Sequence, residues 1–216
     1  MASERLPGKV LMPLEGVPIL EWVVRSAKRS HEAPEVVVAT SEHVSDDPIA
    51  NWCSSTNTLC FRGPLDDVAR RVREAAAASD LKVFARVCGD SPLLDHRLID
   101  RAFRIYRDVA PIDIVTNVAL RTFPKGQSVE VVSLEALDRL LEHDLTPVEQ
   151  EHVTAGFYAR AGEFAIASFE SDAPELAEPP LVVDTLDDLF RIATLVRDAG
   201  ARAADLEWNQ WRILAG

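Results

Sequence analysis

From Glu35 to Val183 the chain repeats one pattern: a short run of β-branched and apolar residues, then a longer stretch with apolar residues at helical spacing. Runs that are apolar on both sides and separated by helices build parallel sheets covered on both faces, because parallel strands need a crossover helix between them. The predicted fold class is therefore α/β, a mostly parallel mixed sheet flanked by helices. With 216 residues, 47% of them hydrophobic, the chain can fill one such domain with a sizeable core and is short for two, so residues 1–216 are read as a single domain.

The pattern predicts a helix from Pro18 to Arg29, with Ile19, Leu20, Val23, Val24 and Ala27 on its apolar face. Glu35 to Thr40 is expected as a buried parallel strand. A helix capped by Asp46 or Asp47 follows through Trp52, then a strand from Thr58 to Phe61 and an alanine-rich helix from Leu65 to Ala78. Lys82 to Val87 is the next strand, followed by a helix from Asp95 to Arg107 and a strand from Asp113 to Asn117. Thr122 to Ser128 is a loop, Val129 to Val132 a strand and Leu134 to Glu142 a helix. Pro147 to Tyr158 is a shorter helical segment and Phe164 to Phe169 a strand. A proline-rich loop from Asp172 to Pro180 leads to a short strand from Leu181 to Val183 and a helix from Leu186 to Ala199. Trp208 and Trp211 in the tail are expected to pack onto the body.

The formal net charge of −12 argues against duplex nucleic acid as a partner, since phosphate binding needs a basic surface. No apolar run approaches the roughly 18 residues of a membrane helix, and no membrane partner is expected. MASERLPGKV carries no apolar leader, and the three cysteines, Cys53, Cys60 and Cys88, are an odd number. Together these features predict a reducing, cytoplasmic location.

Four segments carry candidate chemistry. In Arg5-Leu6-Pro7-Gly8-Lys9 a glycine turn can bring backbone N–H groups and two cations around a phosphate; a solvated turn has the same composition. In Gly89-Asp90-Ser91-Pro92 a carboxylate follows a buried strand, where ligands of open α/β sheets sit. It can hold Mg²⁺ or merely cap a helix. Asp184 stands in the same position between Val182-Val183 and the next helix, with Asp187 and Asp188 in that helix's first turn, and the same two readings apply. His152, in Glu149-Gln150-Glu151-His152-Val153-Thr154, is suited to an acceptor's carboxylate or hydroxyl or to a structural role. The basic loop from Arg121 to Gly126 suits an acidic acceptor or open solvent.

Read in order, Arg5 to Leu11, Val37 to Ser41, Phe61-Arg62-Gly63, Arg86 to Asp95, Arg121 to Pro124, Val129-Glu130-Val131, Glu151 to Thr154 and Val183-Asp184-Thr185 resemble the spore coat polysaccharide biosynthesis cytidylyltransferase-like family, related to the CMP-Kdo and CMP-sialic acid synthetases. The resemblance spans nearly the whole chain. It implies a Rossmann-like nucleotide-diphospho-sugar transferase fold and an enzyme that joins CTP to a sugar, sugar acid or related acceptor with release of pyrophosphate. It implies Mg²⁺ as cofactor, with Asp90 and Asp184 as ligands and Lys9, Asp90 and Asp184 as the catalytic set. Arg5, Gly8, Lys9, Thr40, Ser41, Gly63 and Arg86 would bind the nucleotide, and Arg121, Glu130 and His152 the acceptor. A homodimer is a further implication.

The sequence departs from that family at its start. Relatives open with an apolar strand, then Gln-Ala-Arg and a Met-x-Ser-x-Arg-Leu-Pro-Gly-Lys loop, whereas Met1-Ala2-Ser3-Glu4-Arg5 begins inside the loop. The first strand is thus expected to be missing, through a start codon placed too late or as a genuine short form. Ser128 stands where relatives often carry aspartate, and Gln150 where they often carry arginine. Besides the enzyme, a catalytically weak or silent nucleotide-binding paralogue that supports a partner enzyme fits the retained motifs, as does a transferase for another base.

Overall fold

The computed structural model describes residues 5–109 and 111–214. The chain enters through a 3-10 turn at Lys9–Leu11 and a small hairpin, β1 (Pro13–Leu14) and β2 (Val17–Pro18), which leads into α1 (Ile19–Ala27). There follow β3 (Val37–Ser41), α2 (Asp47–Ser55), β4 (Leu59–Gly63), α3 (Val68–Ala78), β5 (Val83–Arg86) and α4 (His96–Asp108). The second half carries β6 (Ile114–Thr116), β7 (Glu130–Ser133), α5 (Leu134–Leu140), α6 (Pro147–Glu151), α7 (Ala155–Ala159) and β8 (Ile166–Ser168), then α8 (Leu186–Ala199) and α9 (Trp208–Leu214).

Local chemistry sets the helix starts. The side chains of Asp67, Asp95 and Ser133 accept from backbone N–H groups at the starts of α3, α4 and α5. Thr146 with Glu149, and Thr185 with Asp188, form reciprocal capping boxes on α6 and α8. Asp46 stands at the N-cap position of α2, one of the two positions expected, but its side chain makes no cap bond to that helix. Its carboxylate accepts from the Thr40 and Ser41 hydroxyls and the Ser41 N–H, so it fastens the end of β3 to the following turn.

The strands form two larger sets. β3 and β4 pair in parallel, with Ser41 opposite Gly63. The other set runs β5-β7-β6-β8, in which β7 is antiparallel to both β5 and β6, while β6 and β8 are parallel. Periodicity does not carry strand direction, and β6 reaches its neighbour β7 without an intervening helix, as antiparallel neighbours can. The run Leu181 to Val183 forms no strand; it is tied to other loops by single backbone bonds, Leu181 N–H to Lys125 O at 2.6 Å and Val183 N–H to Asp90 O at 3.0 Å. The segment from Pro147 to Tyr158 splits into α6 and α7 at Val153, whose φ of 44° is costly for a β-branched residue.

Two layers cover the sheet. On one, α1 and α4 place Val23, Ala27, Leu98, Ile99 and Ala102 against Val115 and Val131, and Trp208 of α9 packs edge-on to Phe123 at 5.1 Å. On the other, Ala76 of α3 and Leu137 and Leu140 of α5 pack on Phe84, Ile114 and Val132. α8 closes the end of the molecule, its Ile192 and Val196 against Leu14, Ile19, Leu181, Val183 and Trp211. β3 departs from the sequence expectation: Val37, Val38 and Ala39 are only half-buried, because β3 lies at a sheet edge with β4 on one side alone.

Candidate active site

Gly8 sits at φ 73°, in the left-handed region that a side chain disfavours, and this turn directs Lys9 inward. The Lys9 ammonium donates to Asp90 Oδ2 at 2.6 Å and to Asp184 Oδ1 at 2.7 Å. Arg5 reaches the second oxygen of Asp184 at 2.9 Å. Two carboxylates separated by 94 positions in sequence, as read from their numbers, thus converge on one ammonium nitrogen. The Lys9, Asp90 and Asp184 side chains are 12%, 23% and 25% exposed, whereas Arg5 is 66% exposed and stands at the solvent side. Burial alone would pull the Lys9 pKa down. Its hydrogen bonds to Asp184 and Asp90 outweigh that and hold it above the ordinary lysine value, so it stays charged.

The backbone under these carboxylates is tied at several points. Val183 N–H donates to Asp90 O, joining the two aspartate loops directly. Asp188 accepts from the Asp184 and Thr185 N–H groups at 3.2 and 3.0 Å, and Arg191 holds the other Asp188 oxygen at 2.8 Å. Asp188 therefore places Asp184, a role the sequence reading gave only as favourable charge in a first turn. The Thr185-x-x-Asp188 spacing carries that signal, as a variant of the capping-box pattern. Gly126, at φ +101°, lets the Arg121–Ser128 loop press against Leu181, since a Cβ there would lie 2.5 Å from the Leu181 carbonyl. Gln127 is fully buried and stitches the same loop to the segment after Asp90, accepting from Asp95 N–H and donating to Leu93 O.

Of the remaining sequence candidates, Thr40 and Arg86 line the same groove as Gly89 and Asp90. The Thr40 and Ser41 hydroxyls are engaged by Asp46, and Gly63 lies opposite Ser41 on β4. Glu130 is 1% exposed, and both its oxygens are taken: Arg86 donates to one at 3.0 Å and the Tyr158 hydroxyl to the other at 2.5 Å. Burial, then the adjacent Glu130 charge, pushes the Tyr158 phenol well above its ordinary value, so it remains a donor. Tyr158 also shares a hydrogen bond with the Thr116 hydroxyl at 2.8 Å. This buried network escaped the sequence reading, because no local pattern links Tyr158 to Glu130. His152 is exposed at the end of α6, and Arg121 is exposed, with its guanidinium 3.5 Å from the Ser128 hydroxyl. The structure thus gathers Arg5, Lys9, Asp90 and Asp184 at one point, sets Thr40 and Arg86 along one groove, and shows no contact between Arg121 or His152 and that cluster.

Among the described residues no helix is long and apolar enough to cross a membrane. Comparison with known proteins gives a consistent result. A family model described as cytidylyltransferase matches residues 1–180. An uncharacterized protein of Methanocaldococcus jannaschii is 31% identical over 191 residues, 86% of this chain and 75% of its own length. The spore coat polysaccharide biosynthesis protein SpsF of Bacillus subtilis is 30% identical over 211 residues, 94% of this chain and 85% of that protein. Among solved structures, a cytidylyltransferase from Leptospira borgpetersenii superposes with a TM-score of 0.91 at 25% identity, covering 98% of this chain and 88% of the other.

Proposed function

Because the chain belongs to the cytidylyltransferase family, we propose that it transfers a cytidylyl group from CTP to a sugar, sugar acid or related acceptor and releases pyrophosphate. The observation that supports this reading most is the convergence of Asp90 and Asp184 on a single cation, Lys9, beside the Arg5 guanidinium. A site with paired carboxylates and two basic side chains at loop ends suits a metal-bound triphosphate better than a neutral ligand.

The donor set fits Mg²⁺. Among the described residues no group of three or more His, Cys, Asp or Glu side chains gathers to hold an ion unaided. Mg²⁺ commonly takes one or two carboxylates and completes its shell with water and substrate phosphate oxygens, so Asp90 and Asp184 would hold it only together with the nucleotide. When bound, the ion neutralises charge on the phosphate oxygens.

The chain's own residues then have defined tasks. Lys9 and Arg5, which neutralise the two aspartates in the free protein, find a counter-charge in the triphosphate and stabilise the departing pyrophosphate. The acceptor oxygen forms its bond to the α-phosphorus as the bond from that phosphorus to the pyrophosphate oxygen breaks, and the acceptor proton passes to solvent. Little covalent work is left to the protein, so positioning and charge neutralisation dominate. Arg121, Glu130 and His152 are proposed to serve the acceptor side. Glu130 does so from beneath, by fixing Arg86 and Tyr158.

Pyrophosphate release with CTP, UTP, GTP and ATP, each against a panel of sugars and sugar acids, tests the reading. Turnover is expected with CTP, and chelation of divalent metal should abolish it. Equal rates with all four nucleotides would remove the base assignment, and full activity in chelator would remove the metal.

A further inference from the structure

Two of the three cysteines meet outside the candidate active site. Cys53 lies near the end of α2, fully buried in a cluster with Leu20, Val24 and Ile49 against which Val38 of β3 packs. Cys60 lies on β4, directly opposite Val38. Register partners in a parallel pair point their side chains to the same face, so Cys60 shares with Val38 the face that carries Cys53. The chain between the two cysteines is short: Thr58 donates its N–H to the Cys53 carbonyl at 2.9 Å, and Cys60 follows two residues later. The two thiols share a hydrogen bond. β4 has a strand on one side alone, and Cys60 is exposed while Cys53 is shut in.

Paired thiols have few uses. A structural zinc ion takes four ligands, and among the described residues no group of three or more His, Cys, Asp or Glu side chains gathers to supply them. Packing accounts for Cys53 but not for Cys60, which faces solvent. Thiol–disulfide exchange accounts for both, because it needs one sulfur open to a reagent and a second within reach of the first. Burial, then the adjacent Cys60, pushes the Cys53 thiol up to about 12, so Cys53 reacts second and Cys60 first.

We propose that Cys53 and Cys60 form a reversible disulfide, entered through Cys60 by exchange with a small disulfide of the glutathione class. The Cys60 thiolate, its proton released to solvent, attacks one sulfur of the reagent, forming a mixed disulfide and expelling one thiolate. Cys53 then loses its proton to solvent and attacks Cys60 Sγ, so that the bond from Cys60 to the reagent sulfur breaks and a second thiolate leaves. Both departing thiolates take protons from solvent. Two protein thiols are thereby oxidised to one disulfide, and the reagent disulfide is reduced to two thiols. Thiols already in hydrogen-bond contact reach the ~2.05 Å S–S bond by small shifts. The bridge forms near the end of α2, while Asp47 at its start pairs with Arg62 of β4 at 2.8 Å. Arg62 in turn donates to Ser41 O and His43 O, both at 3.0 Å. Oxidation thus fastens α2 to β4 at both ends and braces the turn after β3.

The test incubates the folded protein with oxidised glutathione and follows it by intact mass, non-reducing peptide mapping and size-exclusion chromatography. Wild type is compared with Cys53→Ser, Cys60→Ser and Cys88→Ser. Wild type and Cys88→Ser are expected to end as monomers that carry a Cys53–Cys60 cross-link and no glutathione, and dithiothreitol should reverse it. Cys53→Ser should stop at a glutathione adduct on Cys60, and Cys60→Ser should react at least about tenfold more slowly than wild type. In the bridged wild type, hydrogen–deuterium exchange at residues 42–56 should slow at least about threefold. If Cys53→Ser does not fold, the wild-type map and Cys60→Ser decide alone. The proposal is overturned if wild type keeps glutathione on Cys60 without a cross-link, if the only bridges join two chains, or if the cross-link appears only in denaturant. Equal exchange in bridged and reduced protein would overturn the bracing of the turn. None of these readouts depends on catalysis, so they stand or fall apart from the proposed activity.

Discussion

Replacing Lys9 by methionine keeps the unbranched stem of the side chain and removes the terminal ammonium on which two carboxylates converge. In the present structure Asp90 and Asp184 lie 2.6 and 2.7 Å from that ammonium, so without it their nearest oxygens are left unshielded with at most about 5 Å between them. At an effective dielectric near 20, two like charges within about 5 Å repel by at least about 3 kcal/mol. The side chains are 12–25% exposed, so solvent takes part of this away, and a net loss of about 2–3 kcal/mol is expected. For a chain of this size that lowers Tm by roughly 4–12 °C. A divalent cation replaces the lost charge, so millimolar Mg²⁺ should restore much of the Tm of Lys9→Met while moving the wild type little. Mn²⁺ titration followed by electron paramagnetic resonance should show tighter metal binding to the variant than to the wild type in the absence of nucleotide. The reasoning is refuted if Lys9→Met melts with the wild type and neither protein responds to metal, because the two carboxylates would then not share a site.

Three further outcomes follow from contacts at the Gly126 loop, at α6 and at the cysteines. Gly126→Ala must place a methyl 2.5 Å from the Leu181 carbonyl at a φ of +101°, so thermal melts should show a loss of about 2 kcal/mol or more, with the Asp184 loop displaced. The hydrogen bond from Arg160, then that from the Thr146 backbone, holds the Glu149 carboxyl down at about 2. Since this folded pKa lies below the unfolded value, the contact stabilises fully above about pH 4.5 and is lost as pH falls toward 2. The Tm gap between wild type and Glu149→Gln should therefore be full at neutral pH and close over that interval. Cys60 is exposed, whereas burial, with a neighbouring Cys60 contribution, pushes buried Cys53 up to about 12, and burial raises half-buried Cys88 as well. A thiol reagent at pH ~8 should thus label one cysteine quickly and the other two only on unfolding.

The parts of this fold that local chemistry decides were readable in the sequence. Leu186–Ala199 has a threonine cap, two first-turn aspartates and a clear apolar face, and the helix occupies those residues. Asp90 and Asp184 could be singled out because each follows an apolar run and precedes a helix, and the structure brings both to Lys9. What was not readable depends on distant partners. Val37 to Ala39 carry the composition of a buried central strand, yet burial depends on a neighbour on each side, and in this structure they have one. Leu181 to Val183 has strand-like residues, but its backbone partners are loop residues, Lys125 and Asp90, rather than a strand. The resemblance implies an acceptor-side place for Glu130, but nothing near it in sequence foretells its bonds to Arg86 and Tyr158. Asp46 occupies the N-cap position of α2 as the sequence suggests, yet its carboxylate turns back to Thr40 and Ser41 on the strand before it, which no local pattern shows.

The most direct measurement is pyrophosphate release from CTP by the wild type, Asp90→Asn, Asp184→Asn and the double variant, each checked for folding by thermal melting. Each single change is expected to lower the rate at least ~10²-fold. The double change should be little worse than either one, because two groups that serve the same bound triphosphate act as a unit. A wild-type rate in either single variant, or losses that multiply in the double, would contradict a shared role for the two aspartates.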